Sequence, residues 1–267
     1  MSLIDLKQVS RIYGEDATEV RALDCVDLTI EQGEIVALLG PSGSGKTTLL
    51  NVIAALDQPT DGDYFFEEKK VPRDNVESMT EFRRENIGYI FQFFNLLGDL
   101  TAIENITLVQ ELSGNRDLEF AEKLLKDVGL EGLENRFPSQ MSGGQRQRVA
   151  IARSLAKRPK MILGDELTGN LDTKTSKQVM ESLIDTCREN KMTTLFVTHD
   201  ASLTQYASRV IRLDSGKIVS DEQGGLSSIS GKAKTLVKDV KKGAQSIAED
   251  GVNMVKSVTS KASEIFR

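Results

Sequence analysis

The chain has 267 residues, enough for one large α/β domain or two smaller ones with ample core. A hydrophobic fraction of 39% beside a charged fraction of 28% describes a soluble globular chain. The net charge of −6 excludes a surface built throughout for nucleic acid. No apolar run approaches the ~18 residues needed to cross a bilayer. The start, Met1, Ser2, Leu3, Ile4, carries no secretion signal. Cys25 and Cys187 have neither metal spacing nor a disulfide framework, which fits a reducing cytoplasm.

Residues 4–9 and 26–30 alternate apolar with polar side chains and predict antiparallel strands. The apolar run at 35–39 predicts a buried strand, and 48–56 predicts a helix. Between them stand Gly40, Pro41, Ser42, Gly43, Ser44, Gly45, Lys46 and Thr47, followed by Thr48. Strand, glycine-rich turn, lysine and hydroxyl, then helix is the context of a nucleotide phosphate loop. Its glycines let backbone N–H groups face phosphates, Lys46 can reach the outer phosphates, and the Thr47 hydroxyl can hold Mg²⁺. A nucleoside triphosphate site follows.

Residues 57–63 carry turn chemistry. Further apolar strands end at Phe91, Leu163 and Thr198, and their alternation with helices predicts a largely parallel sheet. Residues ~95–155 are helical in pattern and read as a subdomain inserted into the sheet's connectivity. Open α/β sheets bind ligands at the carboxyl ends of their strands. Lys46, Gln92, the pair Asp165 and Glu166, and His199 each follow such an end. If these strands are neighbours, all converge on the phosphates. Asp165 is then expected to hold Mg²⁺, and Glu166 to orient or deprotonate the attacking water. Gln92 would bond to Mg²⁺ and the water, and His199 to the γ-phosphate. His199 is the single histidine of the chain; its strand-end position and the following Asp200 favour a function.

Ser142, Gly143, Gly144 and Gln145 precede a second helical pattern at 146–155. Serine and two glycines at a helix N-terminus form an anion site. In a chain that already has a phosphate loop, a second such site suggests a nucleotide held by another subunit. Two copies would then sandwich two nucleotides head to tail.

Together these residues resemble the nucleotide-binding subunit of ATP-binding cassette transporters over residues 2–220. The resemblance rests on the phosphate loop at 40–47, Gln92 at the Q-loop position, and a signature at 141–145 with Met141 where leucine is usual. It extends to Asp165 and Glu166, a D-loop at 169–172 that includes Asp172, and His199 as the switch histidine. It implies ATP as the nucleotide, with Tyr13 stacking on adenine, and Ser142 to Gln145 with Asp172 serving the ATP of the second copy. The segments 40–51, 91–97, 100–105 and 168–172 look like the lipoprotein-release and macrolide-export group. That group implies a separate membrane permease of the FtsX type, and a peripheral position at the cytoplasmic face of the cell membrane. Two departures stand out. Leu167 replaces the usual proline after the glutamate, at the turn leading to the D-loop. Gly98 replaces the usual proline after the paired leucines, near the expected permease contact. The competing reading is a soluble non-transport cassette ATPase or regulator with a lipid-surface tail.

The expected organisation is an ATPase domain at 1–220, a Ser/Gly-rich linker at 221–231 and a tail at 232–267. In the tail, apolar residues recur at helical spacing. Ala233, Ala244, Val255 and Phe266 repeat every eleven residues, as do Leu236, Ile247 and Val258. The tail holds eight Lys or Arg against four Asp or Glu, a net of +4, which leaves −10 on the remainder. Three readings stay open: a helix on its own ATPase domain or a dimerising coil, an interfacial helix on anionic lipid, and a disordered tail.

Overall fold

The computed structural model describes residues 1–15, 18–73, 75–169 and 171–225. The tail at 232–267, most of the linker and Asn170 of the D-loop lie outside the described residues. Two sheets carry the architecture. In the first, β1 (Ser2–Tyr13) pairs antiparallel with β2 (Val20–Glu31) and with β4 (Asp61–Phe66), and β5 (Lys69–Lys70) adds an edge. The alternation in β1 and β2 has the expected consequence. Leu6 faces Leu28 and Val9 faces Val26 in the register, all four are buried, and the residues between them are mostly solvated.

The second sheet has the order β10-β9-β3-β8-β7-β6. Its members are β3 (Ile35–Leu39), β6 (Ile87–Ile90), β7 (Met161–Asp165), β8 (Thr193–Val197), β9 (Arg209–Asp214) and β10 (Lys217–Gln223). From β9 to β6 all pairings are parallel; β10 is antiparallel to β9. Every residue of β3 and β8 is buried, which is why these strands read as unbroken apolar runs rather than alternating ones. Leu38, Leu49, Ile53, Leu163, Leu195 and Ile211 share one continuous apolar core.

Strand ends differ from the expected ones by one or two residues. β6 stops at Ile90, β8 at Val197, and β7 runs on through Asp165. The first helix, α1 (Lys46–Ile53), is shorter than the pattern suggests. Its end is set at Ala55, whose φ of 51° leaves the right-handed helix. α2 (Val76–Asn86) was not anticipated from periodicity; the Asn75 side chain caps it by accepting from Glu77 N–H. The β9–β10 hairpin was also not anticipated. Across ~95–155 stand α3 (Ala102–Leu112), α4 (Leu118–Asp127) and α5 (Gly143–Leu155), followed later by α6 (Thr173–Glu189). Among the described residues no helix is long and apolar enough to cross a membrane.

The core is placed by β8, whose Leu195 lies between Val36 of β3 and Leu163 of β7 in the register, fully buried. Leu195→Ala is therefore expected to cost about 2–5 kcal/mol in urea unfolding. Leu118→Ala, at the exposed start of α4, should stay within about 0.5 kcal/mol of the parent.

Candidate functional site

The loop after β3 turns into α1 at Gly45, which caps the helix with φ 101° and ψ 5°. A side chain there would be strained, and its Cβ would lie 2.3 Å from the Ala22 carbonyl oxygen of β2. Pro41, Ser42 and Gly43 form the exposed rim of the loop, and Thr47 is exposed beside Thr48. Lys46 folds back: its Nζ donates to the Gly40 carbonyl at 2.9 Å and to the Pro41 carbonyl at 2.7 Å. Ser44 Oγ is buried with no hydrogen-bond partner, at a cost of about 1–3 kcal/mol that a phosphate oxygen in the loop would remove.

Parallel pairing brings the other strand ends to the same edge. Glu166 follows β7 with φ 44°, a left-handed backbone that costs a non-glycine residue about 1–3 kcal/mol. Gln92 Nε2 donates to Glu166 Oε2 at 3.0 Å. His199 Nδ1, on an exposed ring, lies 3.7 Å from Glu166 Oε1. Asp165 is hydrogen-bonded with the Thr47 hydroxyl. Burial, then the neighbouring Glu166 charge, raises its carboxyl above the usual range, against the pull of Lys46 and Thr47. Asp200 is a cap rather than a partner of the site. It accepts from Ser202 N–H at the start of a short 3₁₀ helix, and the Ser202 bonds hold its carboxyl low. A cavity of about 190 Å³ opens beside Glu166, lined also by Gly169, Thr198, His199 and Lys177.

The departure at Leu167 has a visible basis. The side chain is 4% exposed and covers Gly164, where a Cβ would meet Leu167 atoms at 2.8–2.9 Å. The turn beyond it closes through Gly169 N–H to the Glu166 carbonyl and Leu171 N–H to the Thr168 carbonyl. Leucine thus holds this turn by packing where proline would hold it by its ring. Gly98 stands in open space.

The signature residues form a second group. Ser142 caps α5 in a reciprocal box: its Oγ accepts from Gln145 N–H at 3.3 Å, and its N–H donates to Gln145 Oε1 at 2.8 Å. Gly143 and Gly144 then face the start of α6. A Cβ on Gly143 would lie 3.2 Å from Leu171 Cδ2, and one on Gly144 only 2.3 Å from Thr175 Cγ2. Asp172 caps α6, accepting from the Lys174 and Thr175 N–H groups and from the Thr175 hydroxyl. Tyr13 ends β1 opposite Val20, with its ring half exposed.

Sequence reasoning missed a large apolar groove of about 410 Å³ between the end of α1, β6, α3 and α5. Leu56, Tyr89, Phe91, Leu97 and Val109 line it, together with Arg83, Arg153 and Lys157. Lys157 Nζ donates to the Arg83 carbonyl at 2.6 Å. Burial, with Arg83 and Arg84 nearby, pushes the Lys157 ammonium down to about 8. No local signal marks this groove, because Arg83 comes from α2 while Arg153 and Lys157 come from the end of α5 and the turn after it.

The family described as ABC transporter matches residues 23–169. The lipoprotein-releasing system ATP-binding protein LolD of Geobacter metallireducens is 40% identical over 223 residues, 82% of this chain and 99% of that one. The macrolide export ATP-binding/permease protein MacB of Hyphomonas neptunium is 39% identical over 268 residues. That alignment takes in 99% of this chain, which spans 41% of the longer relative. Among solved structures, the dimeric post-hydrolysis state of the ATP-binding cassette MJ0796 bound to ADP and Pi aligns with a TM-score of 0.75. It is 39% identical and covers 82% of this chain and 98% of the other. The chain belongs to the ABC transporter family, has the fold of its ATP-binding cassettes, binds nucleotide and is an ATPase of this type.

The contact between α5 and α6 gives a direct test. Gly144→Ala drives a methyl into Thr175 Cγ2, so ATP hydrolysis should fall about tenfold or more. Thr175→Ser removes that methyl and keeps the hydroxyl that serves Asp172, so the double variant should recover most of the rate.

Proposed function

We propose that two copies of this ABC-type ATPase close around two ATP molecules and drive a separate membrane permease of the FtsX type. The process served is lipoprotein release, export or mechanotransmission, at the cytoplasmic face of the cell membrane. The observation that carries this reading is the convergence of Lys46, Thr47, Asp165, Glu166, Gln92 and His199 at one edge of adjacent parallel strands.

In this reading the backbone of Gly40 to Gly45 cradles the phosphates at the α1 N-terminus. Lys46 exchanges its two carbonyl acceptors for phosphate oxygens. Glu166 orients and accepts the proton of the attacking water, and His199 contacts the γ-phosphate. Ser142, Gly143, Gly144 and Gln145, with Asp172 setting the start of α6, face the ATP of the second copy. The dimeric, ADP- and Pi-bound MJ0796 cassette supports that assembly.

The residues fit a divalent cation. Among the described residues no three His, Cys, Asp or Glu side chains cluster as a protein-only metal site would need. Thr47, Asp165 and Gln92 offer the oxygen ligands that suit Mg²⁺ when phosphates complete the shell. Such an ion supplies charge neutralisation to the transferring phosphoryl group.

The apolar groove supports a permease as partner. Phe91 and Leu97 line it, and Gln92 between them reaches Glu166. A partner helix seated there acts on the segment that contacts the catalytic carboxylate. The names of the LolD and MacB relatives support lipoprotein release or export as the process served. For residues 232–267, the net +4 and the eleven-residue apolar repeat support an anionic membrane surface as a further contact.

Glu166→Gln is expected to retain ATP binding, lower hydrolysis by about a hundredfold or more and yield an ATP-dependent dimer by size exclusion. Turnover equal to the parent's would refute the role given to Glu166. For the tail, the full chain should co-sediment with phosphatidylserine-containing vesicles, and a chain ending at residue 225 should not. Equal sedimentation of the two would remove the lipid contact.

A further inference from the structure

We infer that Arg11 and Asp57 are positioning residues for Tyr13, fixing its ring so that one face is presented to the nucleotide base. The inference rests on the reading of Tyr13 as the residue that stacks on adenine. It assigns two side chains that no nucleotide motif contains.

Three groups meet on one carboxylate. Tyr13 Oη donates to Asp57 Oδ2 at 2.6 Å. Arg11 Nε donates to the same oxygen at 2.9 Å, and Arg11 Nη2 lies 2.8 Å from Oδ1, so the guanidinium grips Asp57 in two-pronged fashion. The Arg11 guanidinium carbon also stands 4.5 Å from the centroid of the Tyr13 ring, over its face. Arg11 and Tyr13 are two apart in one strand, which puts both side chains on the same side. One ring face is therefore covered by a cation, the phenol tip is tethered, and the residue as a whole is still 38% exposed. The pair that holds it is more sheltered, at 25% and 21%.

A free tyrosine at a strand end would lose its rotamer freedom on stacking with a base, and that loss would subtract from affinity. Here the freedom is already spent within the protein. The frame of reference is also telling. Asp57 follows α1, and its N–H and that of Leu56 both donate to the Asn51 carbonyl of that helix. The same helix begins with Lys46 and Thr47 of the phosphate loop. The end of β1 is fastened to the same turn a second time, through Ile12 N–H to Thr60 Oγ1 and Thr60 N–H to the Ser10 carbonyl. One short rigid element thus sets the distance between the grip on the phosphates and the platform for the base.

The competing account is a plain staple between β1 and the turn, with the phenol as a bystander. A mutant cycle separates the two. Calorimetric affinities for ATP and for inorganic tripolyphosphate, each with Mg²⁺, would be measured for Asp57→Asn, Tyr13→Phe, Tyr13→Ala and the Tyr13→Ala/Asp57→Asn double variant, along with kcat at saturating ATP. Asp57→Asn should weaken ATP about tenfold, the scale of one charge-assisted hydrogen bond. It should leave kcat and tripolyphosphate affinity at the parent values, and Tyr13→Phe should show the same loss of ATP affinity. In the Tyr13→Ala background Asp57→Asn should have no further effect on ATP. An equal loss in both backgrounds, a parallel loss for tripolyphosphate, or unchanged or tighter ATP binding in Asp57→Asn would each overturn the inference. ATP affinity unaltered by Tyr13→Ala would instead bring down the stacking reading beneath it.

Discussion

The arrangement of the site depends on parallel pairing of β3, β8, β7 and β6. In a parallel sheet all carboxyl ends point to one edge. The register leaves little slack: Leu38 pairs with Val197, Val197 with Asp165, and Gly164 with Ile90. Side chains just beyond these residues must therefore emerge within a few ångströms of one another. That is how Gln92 and Glu166, 74 residues apart in sequence, come to share a hydrogen bond. The pairing itself is stabilised by burial on both faces, since isolated parallel strands hold no advantage of their own.

Given that edge, the local electrostatics follow from proximity. Asp165 and Glu166 are adjacent acids at the end of a buried strand. Partial burial of Asp165, and then the neighbouring Glu166 charge, raise the Asp165 carboxyl above its usual range. Lys46 and the Thr47 hydroxyl offset this from the neighbouring loop. The left-handed backbone at Glu166 turns its carboxylate toward Gln92 and His199, and the packed Leu167 holds the strained turn in place. Strain at a non-glycine residue persists only where its surroundings over-determine it. The leucine and the two backbone hydrogen bonds after it do so here.

What could be read from sequence is what depends on local pattern. The phosphate loop is a contiguous string of residues, and the alternation of β1 and β2 is a period of two, so both survive translation into structure. The cap of α5 was also readable, because Ser142 and Gln145 are three apart. Strand ends were placed within one or two residues, since periodicity does not mark where pairing stops. α2 escaped because its face is weakly apolar, with Met79 its sole buried hydrophobic residue. The Arg11–Asp57 grip and the cations of the groove escaped for a different reason. They are contacts between residues 46 or more positions apart, and no local rule brings such residues together. Leu167 stands out in the sequence only as a departure from proline; the third dimension reveals the space over Gly164 that it fills.

The segment from Phe91 to Leu97 is where groove and active edge become one mechanical problem. Phe91 and Leu97 line the groove, while Gln92 bonds to Glu166. Arg153 of α5 donates to the Phe94 and Asn95 carbonyls, and α5 carries the signature at its other end. Phe94 and Asn95 both have positive φ, at 61° and 48°, so the segment is held in a conformation that non-glycine residues disfavour. A strained segment gripped at both ends cannot absorb a displacement by bending quietly. It must yield at one of its grips. The bonds from Arg153 are charge-assisted from the donor side and half sheltered. The bond from Gln92 runs to a carboxylate that also faces the open cavity beside His199, and it is charge-assisted from the acceptor side. A load applied in the groove therefore falls on these two grips, the Glu166 carboxylate on one side and, through Arg153, α5 on the other.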